Sequence, residues 1–83
     1  MSTVRTSTGA PEVHVGSIVS FTDTNVGREA TFTLVNPERA NPSEGRLSMA
    51  SPVARALLGH RVGDRVEART PKGVRPLLIA AIS

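Results

Sequence analysis

The stretch Ser51–Asp64, SPVARALLGHRVGD, decides how the rest of the chain must fold. Serine at position 51 is of the type that caps a helix, because its hydroxyl oxygen accepts a backbone N–H two or three residues ahead. Pro52 suits the first helical position, where its missing N–H is not needed. Val53, Ala56 and Leu57 then recur at i, i+3 and i+4 and make one apolar stripe, with Ala54 and Leu58 beside it and Arg55 pointing outward. Gly59 suits the left-handed residue that follows a helix end. His60 and Arg61 stand where the negative pole of the helix dipole favours cations. A helix of about two turns does not hold itself in water, so this one has to pack on a sheet. Val62-Gly63-Asp64 reads as a turn in which Asp64 accepts nearby backbone N–H groups.

The flanking segments supply that sheet. From Val13 the pattern has period two, with Val13, Val15, Val19 and Phe21 on one face and His14, Ser20 and Thr22 on the other. Gly16 marks a bulge or bend in this strand. Asp23-Thr24-Asn25-Val26-Gly27 is a turn cluster, and Ala30, Phe32 and Leu34 then alternate with Glu29, Thr31 and Thr33 to complete a hairpin. Pro37 ends that ladder and 38–45 reads as a loop. Arg46–Met49 reads as a short third strand with Leu47 and Met49 inward. After the helix, Val66 and Ala68 alternate with Arg65, Glu67 and Arg69 in a fourth strand whose outer face is charged. Thr70-Pro71-Lys72-Gly73 is a tight turn. Leu77–Ile82 is apolar on both parities, the pattern of a central strand covered on both sides, with Pro76 at its start. The fold class expected is α+β: about five antiparallel strands with one short helix packed across them.

Composition narrows the function classes. The chain has 83 residues, enough for one small domain, and residues 1–12 (MSTVRTSTGAPE) read as a flexible N-terminal tail before a domain at 13–83. It has no cysteine, which removes disulfides, thiolate catalysis and Cys-ligated zinc. No apolar run approaches the ~18 residues of a membrane span, and the N-terminus has no signal-peptide core, so no membrane association and a cytoplasmic location are expected. The net charge is +3, carried by nine Arg and one Lys that are scattered rather than clustered. With two Phe as the only aromatic residues, stacking platforms for single-stranded nucleic acid are lacking and direct nucleic-acid binding is not expected.

The same residues carry no recognisable catalytic or metal constellation. His14 and His60 are distant in sequence, and a metal site would need further ligands close by. The carboxylates are spread along the chain, no serine stands in a nucleophile-elbow context, and Gly59-x-x-x-Gly63 lacks the Gly-Lys-Ser/Thr ending of a phosphate loop. The expectation is a binding domain and not an enzyme, with no cofactor and no metal.

Gly45-Arg46-Leu47-Ser48-Met49-Ala50-Ser51-Pro52-Val53-Ala54-Arg55-Ala56-Leu57-Leu58-Gly59, then Val62-Gly63-Asp64-Arg65-Val66-Glu67 and Thr70-Pro71-Lys72-Gly73, resembles the C-terminal domain of the Gre transcript-cleavage factors. Val15-Gly16-Ser17-Ile18-Val19 and Phe32-Thr33-Leu34-Val35 look like that family's first hairpin, so the resemblance covers about residues 13–83. Leu34-Val35-Asn36-Pro37 and Ala56-Leu57-Leu58-Gly59 are similar also to the nucleoside diphosphate kinase regulator branch, which shares the domain.

The resemblance implies an FKBP-like fold and a partner, RNA polymerase, met by a monomer at the rim of the secondary channel on a coiled-coil element of the largest subunits. Carried over, the docking surface is Ser51 and Pro52 with Met49, Ala50 and Arg55 as neighbours. Some family members place an acidic residue just before the Ser-Pro pair, where this chain has Ala50. Helix capping accounts for Ser51 and Pro52 whatever else they do. Gre factors also insert an N-terminal helical hairpin with an acidic, Mg²⁺-holding tip. Residues 1–12 supply no such helix, so the chain as it stands is expected to modulate or compete with Gre factors without stimulating cleavage. Two alternatives stay open: a general protein-interaction domain, and a piece of a longer elongation factor. Prolyl isomerisation, which the FKBP-like fold brings to mind, is disfavoured because Phe21 and Phe32 are both needed in the core.

Overall fold

A computed structural model describes residues 11–83, so most of the expected N-terminal tail at 1–12 lies outside the described residues. Five strands form one sheet: β1 (Ile18–Asp23), β2 (Arg28–Val35), β3 (Arg46–Ser48), β4 (Arg65–Thr70) and β5 (Gly73–Ile82), in the order β3-β2-β1-β5-β4. Among the described residues one α-helix, α1 (Pro52–Leu57), packs on β4 at one edge. The α+β class with a five-stranded sheet and one short helix is as the sequence implies.

The sheet is mixed, which corrects the antiparallel expectation. β1–β2, β1–β5 and β4–β5 are antiparallel, but β3 runs parallel to β2 with Leu34 opposite Leu47. The cause lies in the segment between them, which is more than an open loop. Two 3₁₀ turns, Pro37–Arg39 and Pro42–Glu44, reverse the chain, and Gly45 closes the second at φ 81°. Asn41 N–H and Arg46 N–H exchange bonds with the opposite carbonyls at 2.9 and 3.0 Å, so the chain doubles back before β3 begins. A parallel pair needs such a crossover, and a hairpin cannot supply it.

The first strand starts later than its alternation suggests. Gly16 N–H donates to the Leu34 carbonyl (2.7 Å) and Leu34 N–H to the Ser17 carbonyl (2.9 Å), so two residues face one. Gly16 at φ 93° takes the left-handed position of this bulge, which leaves Val15 about half exposed and not inward. Val13 is buried, but its partner is the chain after the helix: its N–H donates to His60 O (2.9 Å) and its carbonyl accepts from Gly59 N–H (3.0 Å).

A second bulge explains the apolar run Leu77–Ile82. Ser20 pairs with Ala81 and Phe21 with Ile79, so Ala80 is the extra residue. Leu77 and Ile79 face the core before it, and Ile82 packs against the core after it, because one added residue flips the face. The strand is therefore covered on one side, with Ala80 and Ala81 exposed, and the two-sided burial expected from the pattern is not found. β5 also begins earlier, at Gly73, and Pro76 lies within it. Thr24 N–H donates to the Pro76 carbonyl (3.0 Å). A strand residue's N and C=O point to the same edge, so the missing N–H of Pro76 faces the β1 turn and no β4 ladder bond is lost.

The core joins Val19, Phe21, Leu34, Val66, Ala68, Leu77 and Ile79 from the sheet to Ala54 and Leu57 from the helix. The buried stripe of α1 is thus Ala54 and Leu57, whereas Val53, Ala56 and Leu58 are only partly buried against it. This shifts the predicted stripe of Val53, Ala56 and Leu57 by one position. Phe21 and Phe32 stack with centroids 6.2 Å apart and planes 18° from parallel. Leu57 is fully buried, so Leu57→Ala should lower unfolding stability by ~2–5 kcal/mol in urea titration.

The turn after α1 is organised by Asp64. Its Oδ2 accepts the Arg61 N–H (3.0 Å) and lies 3.2 Å from His60 Nδ1. The Arg61 N–H, with the His60 ring next, holds the Asp64 carboxyl below its ordinary pKa. A folded-state pKa lower than the unfolded one stabilises the fold above the ordinary carboxylate range and is lost as pH falls through the lowered value. Thermal midpoints measured across acidic pH should therefore fall less steeply in Asp64→Asn than in the parent chain.

Candidate partner-docking site

The turn into α1 is built by the short strand before it. Met49 N–H donates to Val35 O at 2.8 Å, which ties the end of β3 to β2 and leaves the Met49 side chain half-buried against the core. Ala50 N–H then donates to Ser48 Oγ (3.0 Å) and Ser51 N–H to Ser48 O (3.0 Å). Ser51 has the extended backbone of an N-cap, φ −70° and ψ 153°, and its Oγ accepts the Ala54 N–H at 3.2 Å. Pro52 occupies the first helical position. The helix ends with Leu58 N–H on Ala54 O (3.0 Å), and Gly59 follows at φ 81°.

Of the five residues singled out from the sequence, three share one surface. Ala50, Pro52 and Arg55 are exposed and line a shallow cleft of about 360 Å³ with Ala56, Glu67 and Arg69. Ser51 and Met49 stand behind it, Ser51 holding the helix end and Met49 anchoring the strand. Glu67 and Arg69 are additions from the structure. The sequence identifies them as the charged outer face of β4, but it does not say that the helix lies along that strand. Arg55 makes no ion pair among the described residues, so its guanidinium remains available to a partner.

Each imidazole is engaged locally, His14 with the Val15 carbonyl (2.7 Å) and His60 with Asp64. Among the described residues no group of three or more His, Asp or Glu side chains is placed to hold a metal ion, and no helix is long and apolar enough to cross a membrane. The cleft contains one carboxylate, Glu67, and two guanidinium groups, Arg55 on α1 and Arg69, which like Glu67 stands on β4.

Residues 8–83 match the family described as transcription elongation factor, GreA/GreB, C-terminal. The chain is 45% identical over 76 residues to the transcription elongation factor GreA of Chloroflexus aggregans, covering 92% of this chain and 47% of that protein. It is 43% identical over 70 residues to GreA of Geobacillus kaustophilus, covering 84% of this chain and 44% of the relative. Among solved structures, GreA factor homolog 1 (Gfh1) of Thermus thermophilus superposes with a TM-score of 0.75 at 38% identity, over 90% of this chain and 50% of that one. The shared architecture is FKBP-like. The chain spans about half the length of the curated relatives it matches.

Ser51 supplies the N-terminal side-chain cap of α1, so Ser51→Ala should cost ~1 kcal/mol in urea unfolding. Ser51→Asn, which keeps a capping oxygen, should recover most of that loss.

Proposed function

The chain belongs to the GreA/GreB family of transcription elongation factors, matching its C-terminal domain, and we propose that it is a binding module that docks on RNA polymerase through the turn entering α1. The observation that carries this reading is the exposure of Ala50, Pro52 and Arg55 on one cleft beside a cap that fixes their backbone. Docking on a preformed turn loses little conformational entropy, which suits a small surface to a partner. The family resemblance directs the contact to the rim of the polymerase secondary channel. Pro52 would supply apolar area there, and Arg55 would meet an acidic group of the rim.

The proposal includes what the domain does once docked. The α-helix of the described residues is six residues long, about 9 Å, and no inserted hairpin is formed by residues 11–83. Docked alone, these residues would hold the position that a GreA protein needs, without delivering a cleavage centre. The role proposed is therefore modulation of, or competition with, full-length Gre factors, and we assign the domain no catalysis of its own.

Transcript cleavage by stalled RNA polymerase tests this. The chain alone should leave cleavage at its background rate, and in excess over GreA it should slow GreA-stimulated cleavage. Arg55→Glu should keep the parent's thermal midpoint but lose the inhibition. Stimulation by the chain alone would overturn the competitor role, and undiminished inhibition by Arg55→Glu would remove Arg55 from the contact.

A further inference from the structure

Besides the cleft at Pro52, the described residues form a groove on the other side of α1. Its volume is about 590 Å³. Phe21, Ala30 and Leu77 form an apolar floor on the helix side of the sheet, and Val53 of α1 forms one wall. Two turns flank its mouth. Val26, at the tip of the β1–β2 turn, is 63% exposed. Thr70, Pro71 and Lys72 of the β4–β5 turn stand at the other side.

The rim is electrostatically one-sided. Arg28, Lys72 and Arg75 line the groove with a single carboxylate, Asp23. That carboxylate is already occupied: one oxygen accepts from Arg75 Nη1 at 3.0 Å and the other caps the turn through Asn25 N–H at 3.0 Å. Arg28 and Lys72 have no ion-pair partner among the described residues, and residues 1–10 contain no Asp or Glu to supply one. An apolar floor between two unneutralised cations fits a ligand that combines apolar side chains with carboxylates.

We propose that this groove binds an acidic, apolar peptide segment of a protein partner, with its apolar side chains on Phe21, Ala30, Leu77 and Val53 and its carboxylates on Arg28 and Lys72. A peptide is favoured over nucleic acid because the floor offers no open ring face for a base to stack on: Phe21 is only 7% exposed and lies against Phe32. The surface differs from the docking turn, since Val53 lines the groove whereas Pro52, Arg55 and Ala56 line the opposite cleft. A single partner could engage both, but the groove needs no polymerase to be filled.

The experiment is therefore done without polymerase. A short fluorescein-labelled peptide alternating Leu and Asp is titrated with the folded chain by fluorescence anisotropy, beside a Leu/Lys peptide of equal length. Saturable binding of the Leu/Asp peptide alone is expected, with amide NMR shifts that centre on Ala30, Val53 and Leu77. Combining Arg28→Ser with Lys72→Glu should weaken it about fivefold or more, since two exposed charge contacts are lost. If the double variant unfolds, Lys72→Glu alone serves, because the contact of Lys72 with the rest of its turn is through its backbone N–H. No saturable binding up to about 1 mM, equal binding of the Leu/Lys peptide, or unchanged affinity in the variant would overturn the proposal. So would displacement of the peptide by oligouridylate at lower concentration than by unlabelled peptide, which would assign the groove to RNA. None of these outcomes bears on the cleavage-competition assay.

Discussion

Burial of Ala54 and Leu57 against the sheet is the constraint on which the structure depends. A chain of this size without disulfides has a small core, and a six-residue helix has almost no stability of its own. Seated, the helix completes the core over Val66, Ala68, Leu77 and Ile79. Unseated, it would expose that core and lose its own hydrogen bonds. Both ends of the helix are tied to other elements. β3 fixes the start through the bonds at Ser48 and Met49, and Val13 fixes the exit through Gly59 and His60. The geometry of the exposed turn is thus inherited from the core rather than from local propensity.

Much of this was legible in the sequence because the relevant signals are local. Ser51, Pro52 and Gly59 mark the helix ends by backbone chemistry that acts within a few residues, and the alternation in 28–35 and 65–70 reports one-sided burial directly. What misled were single-residue insertions. Parity is an inference from one residue to the next, so one bulge breaks it. Gly16 ended the alternation at Val15, and Ala80 made a one-sided strand look apolar on both faces. The parallel pairing of β3 was illegible for a different reason. A three-residue strand carries no signal of direction, and the reversal lies in backbone bonds between Asn41 and Arg46.

The two proposed surfaces divide in the same way. Ala50, Ser51, Pro52 and Arg55 lie in one continuous stretch, so their grouping was available from sequence and resemblance together. Glu67 and Arg69 join them only because α1 runs along β4, a choice of strand that periodicity does not express. The groove was further out of reach. Its parts come from the β1–β2 turn, the sheet, the helix and the β4–β5 turn, and each looks ordinary on its own: Phe21 and Leu77 as core, Arg28 and Lys72 as solvated charge. Only the tertiary arrangement turns scattered charge into a rim.

Capping by Ser51 limits what the proposed docking turn can offer. One lone pair of its Oγ is spent on the Ala54 N–H. A hydroxyl still carries one proton to donate, and Arg55 carries a guanidinium that accepts nothing. Ala50 adds no charge, and Glu67 lines the cleft together with two guanidinium groups, those of Arg55 and Arg69. The turn is therefore richer in donors than in acceptors, which matches it to carboxylates or carbonyl oxygens on a partner. A contact that rotated Ser51 off the Ala54 N–H would loosen the helix that Ala54 and Leu57 anchor. A partner that leaves the Ser51 side chain in its capping rotamer keeps the helix start intact, so the chemistry that holds the fold also constrains what can dock on it.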